Sequence, residues 1–234
     1  MRPAVFMLIL LCAGCWNTRA SVGVIAPTSK AGVELIGDHA VIGHACGFGQ
    51  RERRAFDDAL AKQPGAEALA RVDLADHGNC ALVLARPARF SPGATLSPPA
   101  LSSERSHEDR QPEPGTSLVY FYRFDIGRSR REVTLALDGG PTVRLDNEGA
   151  TALTIKPGTY SGKATRAGDT VPIAKLELAA DRVYYIRVAN TGAFQPSAMF
   201  GVIGSRSRSS FMVELREPAF GAAELKWLAE RADK

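Results

Sequence analysis

Two pairs of histidine and cysteine carry the most versatile chemistry in this chain. His44 and Cys46 stand one residue apart in GHACG, and His77 and Cys80 stand three positions apart in DHGNC. Two imidazoles and two thiols are the donor types of a tetrahedral zinc or copper site. The same two cysteines can instead close a disulfide, which would leave both histidines without a metal to hold. The spacing follows no strong zinc pattern, so His44, Cys46, His77 and Cys80 are kept as the weaker ligand set, and no metal or other cofactor is expected.

A second group is basic. In GFGQRERR, a Gly-x-Gly precedes Arg51, Arg53 and Arg54 at the start of a helical pattern. Exposed backbone amides and three guanidiniums there are a possible anion site, with a lipid headgroup phosphate as the attractive ligand. Asp57 and Asp58 follow Arg53 and Arg54 at i+4, so ordinary surface ion pairs explain the same residues. The stretch GSRSRSS (204–210) reads as a solvated hairpin loop. Asp57 and Asp58 point about 100° apart on a helix, which is poor for an acid–base pair. His39 and His107 lack evident partners, and there is no Gly-x-Ser-x-Gly, His-Glu-x-x-His or Walker loop. An enzyme is not expected.

The amino terminus settles which cysteine reading to prefer. Arg2 precedes an apolar run, Ala4 to Ala13, of about ten residues or roughly 15 Å of helix, half of what a bilayer core requires. A charged start, a short apolar middle and small residues at the end make a secretory signal. The segment Leu11-Cys12-Ala13-Gly14-Cys15 resembles the lipobox of bacterial lipoproteins, with Cys12 in place of the usual leucine. That resemblance implies cleavage after Gly14 and diacylglycerol on Cys15; an ordinary signal cut near Ala20 is the alternative. Residue 16 is Trp rather than Asp, which favours the outer membrane. The expected location is therefore the bacterial envelope, lipid-anchored and facing the periplasm. Cys12 leaves with the signal and Cys15 is acylated, so Cys46 and Cys80 remain as one pair in an oxidising compartment, where a disulfide is the default.

Formal net charge is +4, and losing Arg2 with the signal leaves +4 − 1 = +3. Nucleic acid as a partner receives no support from so mild a balance. With 45% hydrophobic residues the chain is globular. The stretch 87–115, PARFSPGATLSPPALSSERSHEDRQPEPG, has no apolar period and reads as a disordered linker rich in Pro and Ser. It divides a signal (1–14), a tether (15–20) and a small α+β domain (21–86) from a second domain (116–234). The first domain has strands at SVGVI, EALARVDL and CALVLAR, and a hairpin or bulged strand over VELIGDHAVIGHACG. Its helix, RERRAFDDALAKQPG, has Ala55, Phe56, Ala59 and Leu60 on one face. Nine short strands fill the second domain, SAMFGVI (197–203) among them, followed by a helix from Pro218. The expected fold is α+β plus mainly β: one helix on an antiparallel sheet, then an antiparallel β-sandwich with a terminal helix. Tyr120, Phe121, Tyr122 and Phe124 occupy both faces of one strand, so one face is core and the other is either a binding surface or covered by that helix.

LVYFYR (118–123), LTIKPGTY (153–160), ADRVYYIRV (180–188) and AELKWL (223–228) stand in this order. The series resembles a family of bacterial lipoprotein domains of unknown function, similar to surface-exposed PEGA-type β-domains. The resemblance covers about residues 115–230, implies a β-sandwich on an envelope lipoprotein, and carries no catalytic residue. More faintly, residues 43–74 resemble small strand–helix–hairpin domains of other envelope lipoproteins. The expected function is non-enzymatic binding or scaffolding in the cell envelope. Its partners would be the bilayer, through acylated Cys15, and an envelope protein, with a cell-wall or surface glycan as the other possibility. A metal- or redox-responsive protein centred on Cys46 and Cys80 is the runner-up, and an envelope enzyme with its site at the edge of the β-domain comes third.

Overall fold

The structure, a computed structural model, describes residues 19–25, 32–77, 79–124, 131–190 and 211–232. Cys15, the expected strand 197–203 and the loop 204–210 lie outside these residues. The described chain is mainly β, with two helices and three open sheets.

The first sheet contains β1 (Arg19–Ile25), β2 (Val33–Leu35), β3 (Val41–Cys46), β4 (Ala68–His77) and β5 (Cys80–Phe90). Its order is β1-β4-β5, with β2 and β3 both pairing antiparallel to β5. Of the hairpin or bulged strand expected over 33–47, the hairpin does not form: β2 and β3 follow one another along β5, on Ala88–Phe90 and Cys80–Ala85, as one strand interrupted between them. Helix α1 (Arg51–Ala61) packs on one face of this sheet through Ala55 and Ala59, which are fully buried. Packing is so close that a Cβ at Gly43 would sit 1.8 Å from the carbonyl oxygen of Ala55. Only glycine fits there. The helix also covers the open edge of β3, because Asp58 accepts from the His44 amide (2.9 Å) and Lys62 donates to the Ile42 carbonyl (2.7 Å). Side chains thus take the place of a neighbouring strand at an edge that would otherwise invite pairing.

Two four-stranded sheets follow. One has the order β11-β10-β7-β8, from β7 (Val133–Leu137), β8 (Thr142–Leu145), β10 (Gly158–Arg166) and β11 (Asp169–Leu178). The other has the order β13-β12-β6-β9, from β6 (Ser117–Arg123), β9 (Ala150–Ile155), β12 (Arg182–Asn190) and β13 (Phe211–Arg216). Alternate residues of both sheets, among them Val119, Phe121, Leu135, Leu176, Ile186 and Val213, fill one apolar core between them. The pairing is not antiparallel throughout, as expected, because β6 and β12 run parallel, Arg182 opposite Ser117. Strands 59 or more residues apart in sequence need no hairpin, so either direction is open to them.

Helix α2 (Pro218–Ala232) closes the molecule. Phe220, Leu225 and Leu228 pack with Leu118, Tyr120, Tyr122 and Tyr185 on the second face of the β6–β12 sheet, and with Ile42, Leu82 and Leu84 of the first sheet. A Cβ at Gly221 would lie 2.3 Å from the Tyr185 ring, which explains the glycine. The face left open between core and surface is therefore covered, by α2 and the five-stranded sheet together.

The expected disordered linker is corrected by this arrangement. Residues 87–90 belong to β5, so the boundary at residue 86 falls inside a strand. Beyond it the chain is irregular but fastened. Ser103 forms a bridge with Val183, and its amide donates to the Val183 carbonyl at 3.1 Å. Ser106 is buried and caps a local turn by accepting from the amides of Glu108 and Arg110. Low apolar content predicts disorder only for a segment that must bury itself, and this one borrows partners from three neighbouring elements.

The Cys46–Cys80 disulfide joins β3 to β5 across a separation of 34 residues. On the chain-entropy account it stabilises the fold by about 3–4 kcal/mol.

Candidate functional site

The charged residues of β4, β5, β12, β13 and α2 meet where the five-stranded sheet, the β6–β12 sheet and α2 converge. Alternation decides this locally. In β12, Tyr184, Ile186 and Val188 enter the first core, so Tyr185 and Arg187 must face the other way. In β13, Val213 and Leu215 do the same, which turns Glu214 and Arg216 outward. There they are covered. Arg187 is 1% exposed and Glu224, from α2, is fully buried.

Arg187 donates to Glu224 and Glu214 and lies 3.4 Å from Asp73 of β4. Arg216 reaches Asp73 at 2.8 Å and Glu224 at 3.3 Å, and the Tyr122 hydroxyl donates to Glu224. A second knot adjoins it. Glu217, just before α2, accepts two hydrogen bonds from Arg71 (2.8 Å each) and one from Arg86. Arg71 also donates to the Ser97 carbonyl and Arg86 to that of Gly37 (2.7 Å). Arg71, Arg86, Arg187 and Arg216 balance Asp73, Glu214, Glu217 and Glu224 in formal charge. Burial opposes the charge on Arg187, but Glu214, Glu224 and Asp73 more than offset it and hold its pKa above the ordinary value. Burial, reinforced by Glu224, pushes the Tyr122 hydroxyl well up. Arg187 therefore stays charged and Tyr122 neutral, and the network fastens one sheet to the other.

Beside the second knot opens a cleft of about 840 Å³. Its walls are the β2–β3 turn (Asp38, His39), the irregular segment (Arg105, His107) and the α2 face with Ala222 and Lys226; Arg86 and Glu217 are also in its lining. A smaller groove of about 310 Å³ lies beside it, and His107 and Glu108 line both. The ridge is held by an aromatic stack: Tyr120 and Tyr185 lie 5.2 Å apart and nearly parallel, with His107 edge-on to Tyr120 at 5.0 Å. The His107 amide donates to the Tyr185 hydroxyl (2.9 Å), and Tyr120 donates to Glu108 (3.2 Å). Burial lowers the His107 pKa against an opposing pull from Glu108. Small side chains and both signs of charge suit such a cleft to a polypeptide segment or another mixed polar–apolar ligand.

The sequence-predicted residues are placed elsewhere. Cys46 and Cys80 are bonded to each other. His44 Nε2 lies 3.3 Å from Cys46 Sγ, and these three residues bring their donor atoms within 4.8 Å of one another. Both sulfurs are spent in the disulfide, so the set lacks the thiolates a soft metal site needs; the His77 side chain lies outside the described residues. The expected Arg–Asp pairs on α1 are not the ones formed. Asp58 pairs with Lys62 at 2.8 Å, Arg51 with Glu52 at 3.2 Å, and Arg54 donates to the Cys46 carbonyl at 3.0 Å. Sequence reasoning missed the cleft and the ion network. A usable signal existed in Arg187, Glu214 and Arg216, charges set inside strands whose neighbours are apolar.

No protein-family model matches the chain, and no curated protein matches it. Among solved structures, it is similar to a protein from Bacteroides ovatus ATCC 8483 provisionally named a cell adhesion protein. Identity is 9%, the TM-score is 0.27, and the match covers 87% of this chain and 96% of the other. A likeness at that level carries no argument about function.

Proposed function

We propose that this protein is a non-enzymatic binding component of the bacterial envelope, anchored through acylated Cys15 and engaging a protein partner in the cleft beside α2. The cleft carries the reading. It is large enough for a peptide segment, and its walls come from three separate parts of the chain that the ion network holds in fixed relation. The Cys46–Cys80 disulfide supports an oxidising compartment. The signal-like start and the Leu-Cys-Ala-Gly-Cys segment support the anchor, and Trp16 supports the outer membrane. Arg86 and Glu217, two of the charged groups in the lining, are occupied in holding the fold, which supports binding over catalysis.

Photo-cross-linking from Lys226 in the native host tests this reading. One specific protein adduct is expected, competed by excess soluble mature chain and lost when Ala222 is replaced by Trp to fill the cleft. Cross-links of equal yield from Lys226 and from an exposed position remote from the cleft, such as Lys163, would count against it.

A further inference from the structure

One end of the five-stranded sheet carries a feature the cleft does not use. Arg19 of β1 pairs with Ala75 of β4, whose last residue, His77, pairs with Cys80, and Cys80 pairs with Cys46 at the end of β3. The entry of β1 and the β3–α1 turn therefore lie at the same end of the sheet. Three strand spacings, about 14 Å, separate them. Cys15 precedes Arg19 by four residues, at most about 14 Å of extended chain.

At that end stands Phe48, 91% exposed, between Gly47 and Gly49. The only other large apolar side chain classed as exposed among the described residues is Leu101, at 38%. Phe48 is not on a slack loop. The disulfide closes the turn, the Gly47 amide donates to the Asn79 carbonyl (2.7 Å), and Arg54 holds the Cys46 carbonyl. Gly47 and Gly49 both have positive φ, 105° and 68°, a backbone that presents the ring outward and that other residues adopt poorly. Arg53 and Arg54 are exposed beside it, and Arg53 has no carboxylate partner among the described residues. The first turn of α1 holds Arg51, Arg53 and Arg54 against Glu52, a balance of 3 − 1 = +2.

We infer that the 47–50 turn and the first turn of α1 form a membrane-contact surface, with Phe48 entering the interface of the bilayer that holds Cys15 and Arg53 and Arg54 on its anionic headgroups. The inference rests on the anchored reading above. An aromatic ring at headgroup depth with flanking cations is the usual interfacial arrangement, and the anchor end of the sheet is where the bilayer must lie. This surface would orient the molecule, holding the end with the disulfide against the membrane.

Two measurements separate the anchor from the surface. Incorporation of labelled palmitate into the full chain, lost in Cys15→Ser, reads the anchor alone. Vesicle binding by the mature chain with Cys15→Ser reads the surface alone. Vesicles of phosphatidylcholine with phosphatidylglycerol should bind it, and pure phosphatidylcholine far less. Phe48→Ser and the pair Arg53→Glu, Arg54→Glu should each weaken binding about tenfold, and high salt should erase the effect of the pair. Phe48→Trp should add a blue-shifted emission quenched by brominated lipid. Phe48 makes no core contact, so the melting temperature of its variants should stay unchanged; Arg53→Glu alone, which keeps the bond from Arg54 to the Cys46 carbonyl, gives a charge variant with the parent melting temperature and should also weaken binding. Equal binding by parent and variants, no preference for anionic vesicles, or no quenching at position 48 would overturn the surface even where Cys15 is acylated.

Discussion

The two interiors of this molecule are built on opposite terms. Between the paired four-stranded sheets the contacts are apolar, Val, Leu, Ile and Phe on alternate residues. On the far side of the β6–β12 sheet, the same strands present tyrosines, Arg187, Glu214 and Arg216 to α2 and to the five-stranded sheet. An apolar core tolerates any filling of the right volume. A network of four guanidiniums and four carboxylates tolerates very little, because each charge is answered by particular partners and the buried Nε atoms of Arg86, Arg187 and Arg216 already go without an acceptor. The first interior makes the paired sheets stable. The second makes the position of the five-stranded sheet specific, and the cleft exists only in that position.

Arg187→Met is the most damaging way to break this comparison. It removes a guanidinium that Glu214, Glu224 and Asp73 share with Arg216, and a loss of about 3–5 kcal/mol in chemical denaturation is expected. Arg187→Lys should recover only part of it, since an ammonium cannot fork between Glu214 and Glu224. Arg187→Met combined with Glu224→Leu should cost clearly less than the sum of the two single changes. Simple additivity would show that the network is a set of independent contacts. Next comes Leu135→Ala in the apolar core, expected to cost about 2–5 kcal/mol by leaving a cavity. Leu135→Met should cost under about 1.5 kcal/mol. The contrast is sharpened if the conservative change is mild at Leu135 and severe at Arg187.

How these interiors were written in the sequence differs as well. Ala55 and Ala59 at helical spacing and Pro218 at a helix start were legible, because each follows from local geometry. So was the division of Tyr120, Phe121 and Tyr122 between the two faces of one strand, from its period. The disulfide followed from counting cysteines for the oxidising compartment expected from the amino terminus. The charged interior did not, because Asp73, Arg187 and Glu224 are 114 and 37 residues apart along the chain. Nothing local says which buried charge answers which. The same holds for the irregular segment: its composition predicts disorder, and its order comes from Val183 and Tyr185, far along the chain.

Gly221→Ala probes the seam between the two interiors with a smaller change. The new methyl would press on the root of the Tyr185 ring, which is fixed in the buried cluster and cannot swing aside cheaply. A loss of about 1–3 kcal/mol is expected, despite the better helix propensity of alanine. An increase in stability would mean that α2 sits further from β12 than the packing indicates.

The mildest test concerns pH and the ridge of the cleft. His107 is partly buried against Tyr120 and Tyr185, and burial lowers its pKa below the ordinary value near 6.5. His44 shifts the same way, through burial and then Arg231. In the unfolded chain both imidazoles take up protons first as the pH falls. The unfolded state therefore binds more protons in this window, and stability rises with pH through it. The contribution is complete above about pH 6.5 and is lost as the pH falls towards the lowered folded values. Melting temperature should be flat from pH 7 to 8 and decline below about 6.5. His107→Gln should flatten part of that decline while leaving the pH 7.5 value little changed, because a neutral side chain has no proton to gain. Glu108 and Arg110 face the same imidazole with opposite effects, so their removal should move the midpoint in opposite directions, up for Arg110→Gln and down for Glu108→Gln. An unaltered slope in His107→Gln would place the titrating group outside the ridge, and the clasp on the cleft would then be insensitive to acid.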